Sequence, residues 1–447
     1  MSRIRIIITI IVVVLTTLLT GCTGKEPNEI AYVVALGIDS TDDDNYKITI
    51  QYANTTQISG GASESGGKAG SEIVDNVTIE APNIYAGVGL ANNIVSKSFS
   101  MSHAKLIVFS KEIAEKGVKD MIETLVRSEE IRPDVFIAVA NTTANDYLTS
   151  VNPEMEVNPA QYYQLIYQKN QLVGIPDGQL REFFTGLYTD NYDSILPVAG
   201  VIEGSGGNSQ NDDKGQSKDS QNEGSEGSSE SFDSFESKSS DENEKEKDAE
   251  KNTSKYEYDI KNYIGGETAI EKKNKAEAIG AAVFEKDKMV GELGEVETEI
   301  CKMLKGDYTY SYLTYYNNDT PDIPITVKTT QQKKPKYKID TDKKTVDIEL
   351  YIESDLYSLP ADYNVENKIE DFERDVANYT SSACTEFINN FTKKYNSDIL
   401  KLNEKVKYKF LTNNQYNWFK KNVGWSEYKF SVCTNFKVRR TGLIVRE

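Results

Sequence analysis

Between residues 203 and 255 the chain carries fifteen Asp or Glu, seven Lys, and runs of Ser, Gly and Asn with almost no apolar side chains. Such a stretch cannot bury enough surface to offset the entropy of ordering it, so it is expected to be disordered. Any folded body must therefore be built from what flanks it, residues 22–202 and 256–447. An acidic partner-binding tail is one reading of the stretch; a tolerated insertion in a surface loop is the plainer one and is preferred. At 447 residues the chain has room for two or three domains of roughly 150 residues each. The formal net charge of −19 speaks against nucleic acid or an anionic bilayer as an electrostatic partner, since both would be repelled.

The first 21 residues read as a leader. Arg3 and Arg5 supply a positive start, Ile6 to Leu19 an apolar run, and Gly21 the small residue before a cut. A membrane-spanning helix needs ~20 apolar residues, whereas this run is shorter and is broken by Thr9, Thr16 and Thr17. Leu19-Thr20-Gly21-Cys22 resembles a lipobox, in which the Cys22 thiol is diacylated and the signal is cut before it. Two or three acyl chains exceed the single chain that binds only marginally, so a stable anchor follows without a protein span. The mature chain is expected to be a body tethered to the outer face of a plasma membrane. Cys301, Cys384 and Cys433 remain, an odd number with no disulfide framework, although one unspecified pair could form. With a single histidine, no zinc site is expected, and no cofactor beyond the covalent lipid on Cys22.

Along the chain, apolar runs and periodicities alternate. Ala31–Ile38 reads as a buried strand, Asp39–Asn45 as a solvated acidic turn, and Tyr46–Tyr52 as a strand with Lys47, Thr49 and Gln51 on a wet face. Ser59–Gly70 reads as a mobile loop. Helical spacing follows Pro82 at Ile84, Val88, Ala91 and Val95; Leu106–Phe109 is a strand; Ser110 is placed to cap a helix that Gly117 weakens in its middle. Val135–Ala140 is a strand, Pro159–Tyr192 is helical in two pieces with a tyrosine stripe that reads as core, and Ile195–Ile202 is a strand. Strand and helix alternate as in an α/β fold.

Beyond the acidic stretch, Ala278–Leu293 reads as a hairpin turning at Glu285–Lys288, followed by a short helix that Gly306 stops. Ile323, Ile325 and Val327 alternate, and Val346, Ile348, Leu350 and Ile352 do so more strictly with polar neighbours, so antiparallel strands with one covered face are expected; Tyr428, Phe430, Val432, Thr434, Phe436 and Val438 alternate as well. Cys433 falls on the polar face. Val365, Ile369, Phe372, Val376, Tyr379, Ala383 and Phe387 form one stripe of a helix of roughly 25–30 residues lying on a sheet. The expected class is α/β and α+β: several compact mixed-sheet domains, with a long amphipathic helix against an antiparallel sheet in the C-terminal region.

Catalytic chemistry finds little support. His103 is the sole histidine, so any Ser-His-Asp or Cys-His arrangement would pass through it. A hydrogen-bonded structural role at a strand edge is the expected one. No G-x-S-x-G, phosphate-binding glycine loop or H-E-x-x-H occurs.

Taken in order, the lipobox, Asn28-Glu29-Ile30, Ala35-Leu36-Gly37-Ile38-Asp39, Ser102-His103-Ala104-Lys105, Arg127-Ser128-Glu129-Glu130-Ile131-Arg132, Ala281-Ala282-Val283-Phe284, Lys286–Leu293, Asp398-Ile399 and Thr441-Gly442 resemble the Ger(x)C family of spore germination lipoproteins. The chain departs from that family in carrying Thr23 where a tryptophan usually follows the lipid cysteine, and in the acidic stretch. The resemblance implies three compact α/β domains and a non-enzymatic C subunit of a nutrient germinant receptor. It implies lipid anchoring at the outer leaflet of the inner spore membrane, beside integral A-type and B-type subunits. Arg127, Glu129, Glu130 and Arg132 are candidates for a charged partner contact or an internal ion-pair knot, the internal reading being preferred. The alternatives are an extracytoplasmic solute-binding lipoprotein that feeds a permease, and a tethered hydrolase.

Overall fold

The alternating strands and helices of the first region build one sheet with helices on both faces. The computed structural model describes residues 3–9, 29–43, 45–53, 74–153, 156, 158–168, 174–189, 191–202, 262–268, 274–316, 324–358 and 368–441. Strands β1 (Ile30–Ser40), β2 (Tyr46–Ala53), β3 (Val74–Ala81), β5 (Leu106–Ser110), β6 (Phe136–Ala140), β7 (Ile195–Val201), β8 (Ala276–Glu285) and β9 (Lys288–Leu293) run in the order β3-β2-β1-β5-β6-β7-β8-β9, with short β4 (Ser98–Ser100) beside the start of β1. The strands β1, β5, β6 and β7 are mutually parallel; β2, β3, β8 and β9 add antiparallel edges. The pair β7 and β8 joins chain from both sides of the acidic stretch in one sheet, with Ile195 opposite Val283.

Because β1, β5 and β6 are buried on both faces, they read as continuous apolar runs. One face holds Leu36, Ile38, Ile107, Phe109, Ile137 and Val139. Against it lie α1 (Ile84–Ile94), α2 (Lys111–Lys116), α3 (Lys119–Val126) and Leu180 and Phe183 of α6 (Leu180–Thr189). The other face packs Ala35, Leu106, Val108 and Ala138 under α4 (Ala144–Ser150) and α5 (Pro159–Gln168). The helix that begins at the Ser110 cap is split in two at Gly117, whose φ of 126° no other residue adopts without strain.

Two surface expectations are corrected. Asp39 lies in β1 rather than in a solvated turn, is 4% exposed, and accepts hydrogen bonds from the Ala144 and Asn145 N–H groups at 2.6 and 3.0 Å. It thus satisfies orphan donors at the start of α4. On β2, Thr49 and Gln51 are fully buried. Gln51 donates to Leu148 O at 2.8 Å and accepts from the Tyr163 hydroxyl, while Asn145 donates to Thr49 at 2.9 Å. The polar alternation therefore faces a hydrogen-bonded interior. The tyrosine stripe is core, carried by Tyr162, Tyr163 and Tyr167, with Leu165 outside it.

In the second region α7 (Glu295–Lys305) starts at Gly294, whose N–H donates to Glu297 at 3.0 Å, and ends at Gly306 in the left-handed region. A five-stranded sheet follows, from β10 (Tyr310–Tyr316), β11 (Pro324–Gln331), β12 (Lys336–Asp340), β13 (Thr345–Ser358) and β14 (Lys429–Arg440). It is not wholly antiparallel: β14 lies parallel to β13, with Thr345 opposite Lys429, because helix α8 (Ile369–Tyr395) crosses over between them.

That 27-residue helix buries Phe372, Val376, Tyr379, Thr380, Cys384, Ile388, Phe391 and Thr392. Ala383 and Phe387 are only half-buried. Buried residues recur every four positions at Phe372, Val376, Thr380, Cys384, Ile388 and Thr392, and because four residues exceed one 3.6-residue turn the covered face winds around the helix onto Cys384 and Ile388. Val365, residues 59–70, Gly442 and the acidic stretch lie outside the described residues. Cys301, Cys384 and Cys433 are free thiols; the first two are buried and Cys433 is exposed.

Candidate functional site

Gly21 and Cys22 lie outside the described residues. The charged group at 127–132 is described, and its members do not pair with one another. Arg127 reaches Glu123 at 3.4 Å on its own helix, and Arg132 makes a two-pronged contact with Asp134 at 2.9 and 3.1 Å. Glu130 accepts from the Met101 N–H at 2.8 Å, tying the loop to the turn after β4, and Glu129 is exposed. The knot preferred from the sequence is replaced by surface pairs, which solvent screens. His103 stands on that same turn, Nδ1 3.0 Å from Ser102 Oγ and its ring edge-on to Tyr32 at 4.8 Å. A contact between sequence neighbours on a surface turn is not a nucleophile–base pair across a cleft.

The parallel strands bring these positions to one edge. Since β1, β5, β6 and β7 run the same way, the segments that lead into them share the strand-start side of the sheet. Here the Lys105 N–H donates to Val34 O at 2.9 Å and the Phe136 N–H to Lys105 O at 3.0 Å. The 127–134 loop leads into β6, and residues 191–194 lead into β7. The β8–β9 turn arrives alongside: the Lys286 N–H donates to Asp193 Oδ1 at 3.2 Å. The segment after α8 closes on the same residue, with the Asp193 N–H donating to Asp398 O at 3.1 Å and the Asp398 N–H to Asp193 Oδ2 at 2.8 Å. Residues that resemble family motifs at 30, 102–105, 127–132, 286 and 398–399 thus gather along one edge.

The Asp398 carboxylate accepts from Leu402 and Asn403 N–H at 2.7 and 2.8 Å and so caps α9 (Leu402–Val406). Burial, aided by the neighbouring Asp193 charge, raises its pKa to about 7 against those two hydrogen bonds and the Lys405 charge. A cleft of about 590 Å³ opens beside it, lined by Tyr192, Asp193, Lys286, Asn403, Lys420 and Trp425 among others. Within it the Trp425 indole donates to Asn403 Oδ1 at 3.2 Å. Outside its lining, the Tyr416 hydroxyl in α10 (Asn413–Asn422) donates to Asn191 Oδ1 at 3.1 Å. Lys401 pairs with Glu182 and lies over the Tyr192 ring.

The cleft is polar and carries both signs of charge. Its buried carboxylate is already committed to backbone donors, an arrangement suited to coupling segments or holding a polar solute. Among the described residues no group of three His, Cys, Asp or Glu could hold a metal ion. Asp193, Asn191 and Tyr416 were not visible as site residues in the sequence, because their partners lie up to 225 positions away.

Comparison with known proteins places this edge in a family context. Residues 24–201 match the family model described as the spore germination protein N-terminal domain, and residues 279–442 match the spore germination B3/GerAC-like C-terminal model. The chain belongs to the GerAC, or Ger(x)C, family of spore germination proteins. Spore germination protein KC of Bacillus subtilis (strain 168) is 26% identical over 176 residues, 36% of this Ger(x)C chain and 43% of the relative. The putative spore germination protein YfkR of the same strain is 28% identical over 145 residues, covering 32% and 37%. Spore germination protein GerQC of Bacillus cereus is 27% identical over 104 residues, covering 23% and 29%. The Ger(x)C chain thus spans less than half the length of these relatives in each match. The crystal structure of the GerBC protein is similar with a TM-score of 0.48 and 15% identity, over 90% of this chain and 96% of that one.

Proposed function

We propose that this Ger(x)C protein is a non-catalytic, lipid-anchored subunit of a spore nutrient germinant receptor. It is held at the outer leaflet of the inner spore membrane through Cys22 and acts by contacts with integral A-type and B-type subunits. The observation that carries the reading is the Leu19-Thr20-Gly21-Cys22 lipobox at the head of a chain of this family. Among the described residues no helix is long and apolar enough to cross a membrane. Tethering raises the local concentration of the body for integral partners, so modest surface contacts suffice. The strand-start edge, with Arg127, Glu129, Glu130 and Arg132 outward on it, is the natural candidate for those contacts.

The test is Cys22→Ala in the sporulating cell. Loss of the protein from the spore membrane fraction and loss of nutrient-triggered germination are expected; survival of both would refute the mechanism. A solute-binding lipoprotein feeding a permease is the second reading, and the 590 Å³ polar cleft is what favours it. Calorimetry of nutrient solutes against the isolated protein separates the two, since tight binding by this chain alone supports the second.

A further inference from the structure

The segment from Lys407 to Lys421 has a surface unlike the rest of this acidic chain. Tyr408, Leu411 and Trp418 are 81%, 94% and 64% exposed. Trp418 sits on α10 away from Tyr416 and Phe419, the two residues that this helix buries. Around these apolar tips stand Lys407, Lys409, Lys420 and Lys421, and no carboxylate occurs between Lys405 and Ser426. Exposed Trp and Tyr among lysines is the composition of a membrane-interface element: the rings match the headgroup–acyl boundary, and lysine stems lie along apolar surface with their charges in the headgroups.

Position supports the same occupant. Lys420 donates to Thr189 O at 3.3 Å and to Asn191 Oδ1 at 3.1 Å, which fixes the segment beside the start of β7. With neighbouring strands ~4.8 Å apart, β7 lies three places or about 14 Å from β1. The tether from Cys22 to Ile30 reaches about 27 Å when extended. An anchor entering at β1 can therefore lower this whole edge onto the bilayer. The net charge of −19 does not prevent it, because charges farther away than a Debye length of ~8 Å are largely screened. Side chains that protrude singly also suit a fluid boundary that needs no matching shape.

We infer that residues 407–421 form an interfacial membrane contact, with Tyr408, Leu411 and Trp418 seated in the headgroup region and the exposed Lys407 and Lys421 on anionic headgroups. This rests on the lipid-anchor reading above. The test uses the full chain, expressed with its signal so that Cys22 is acylated, with Cys433→Ser and Leu411→Cys, and a nitroxide on the new thiol. A second preparation carries the label at Asp42→Cys, in the turn at the far end of β1. Both are reconstituted into phosphatidylcholine vesicles with or without phosphatidylglycerol, and collisions of the label with oxygen and with a water-soluble nickel chelate are measured.

The expected result is a label at 411 shielded several-fold from nickel yet open to oxygen, more strongly with phosphatidylglycerol, while the label at 42 stays nickel-accessible. Equal nickel access at both positions, with the protein still floating with the vesicles, would overturn the inference and leave the anchor standing. Failure of the acylated chain to float would overturn the anchor reading and this inference with it. Shielding at 411 in spore membranes but not on vesicles would assign the surface to a protein partner and overturn the bilayer contact.

Discussion

The substitution Asp398→Asn probes the junction that joins the segment after α8 to the large sheet. In the native protein Asp398 is 3% exposed and its pKa is raised from an ordinary 3.8 to about 7. A folded-state pKa above the unfolded one means that the folded chain binds more protons between those values, so stability falls as pH rises through that window. The contribution is fully present below about pH 4 and is lost by about pH 7. At roughly 1.4 kcal/mol per tenfold change in proton affinity, it amounts to about 4 kcal/mol. Asparagine keeps one acceptor for the Leu402 and Asn403 N–H groups but presents a donor to the other, a buried mismatch of roughly 1–3 kcal/mol. The variant should therefore be less stable than wild type near pH 4–5, and the gap should close or reverse by pH 8. Urea unfolding followed by the fluorescence of buried Trp425, which donates to Asn403, measures this across a pH series. Parallel stability curves for the two proteins from pH 4 to pH 8 would refute the assignment of the titration to Asp398.

Gln51→Leu should destabilise the protein by about 2–4 kcal/mol, since it strands the buried Tyr163 hydroxyl and Leu148 carbonyl; a midpoint within experimental error of wild type in urea would contradict that interior. In native Cys22→Ala protein a thiol reagent should modify Cys433 rapidly and leave Cys301 and Cys384, whose pKa values burial pushes up to about 11 and about 12, unmodified until urea unfolds the chain. Modification of all three at one rate would count against the packing of α7 and α8.

Much of the element order was legible because it rests on local signals. The doubly buried β1, β5 and β6 read as unbroken apolar runs, the hairpin of β8 and β9 reads from its Glu285–Lys288 turn, and the Gly306 stop and the α8 stripe read from spacing alone. What misled was polarity taken as exposure. Thr49, Gln51 and Asp39 have the residue types of a wet face and a solvated turn, yet each is buried because α4 and α5 supply its hydrogen bonds. Alternation reports which residues share a face, not what covers that face. The direction of β14 was likewise hidden, since parallel and antiparallel strands carry the same period-two pattern.

By itself the sequence determined most strands and helices, since each depends on composition or periodicity within a few neighbouring residues. Only the tertiary structure decided that the separate motif residues share the strand-start edge, that Asp193 and Asp398 hold each other across 205 positions, and that Arg127 and Arg132 face outward to Glu123 and Asp134. Those facts follow from strand order and direction. They are set by long-range pairing and burial, whose partners no local window of sequence contains.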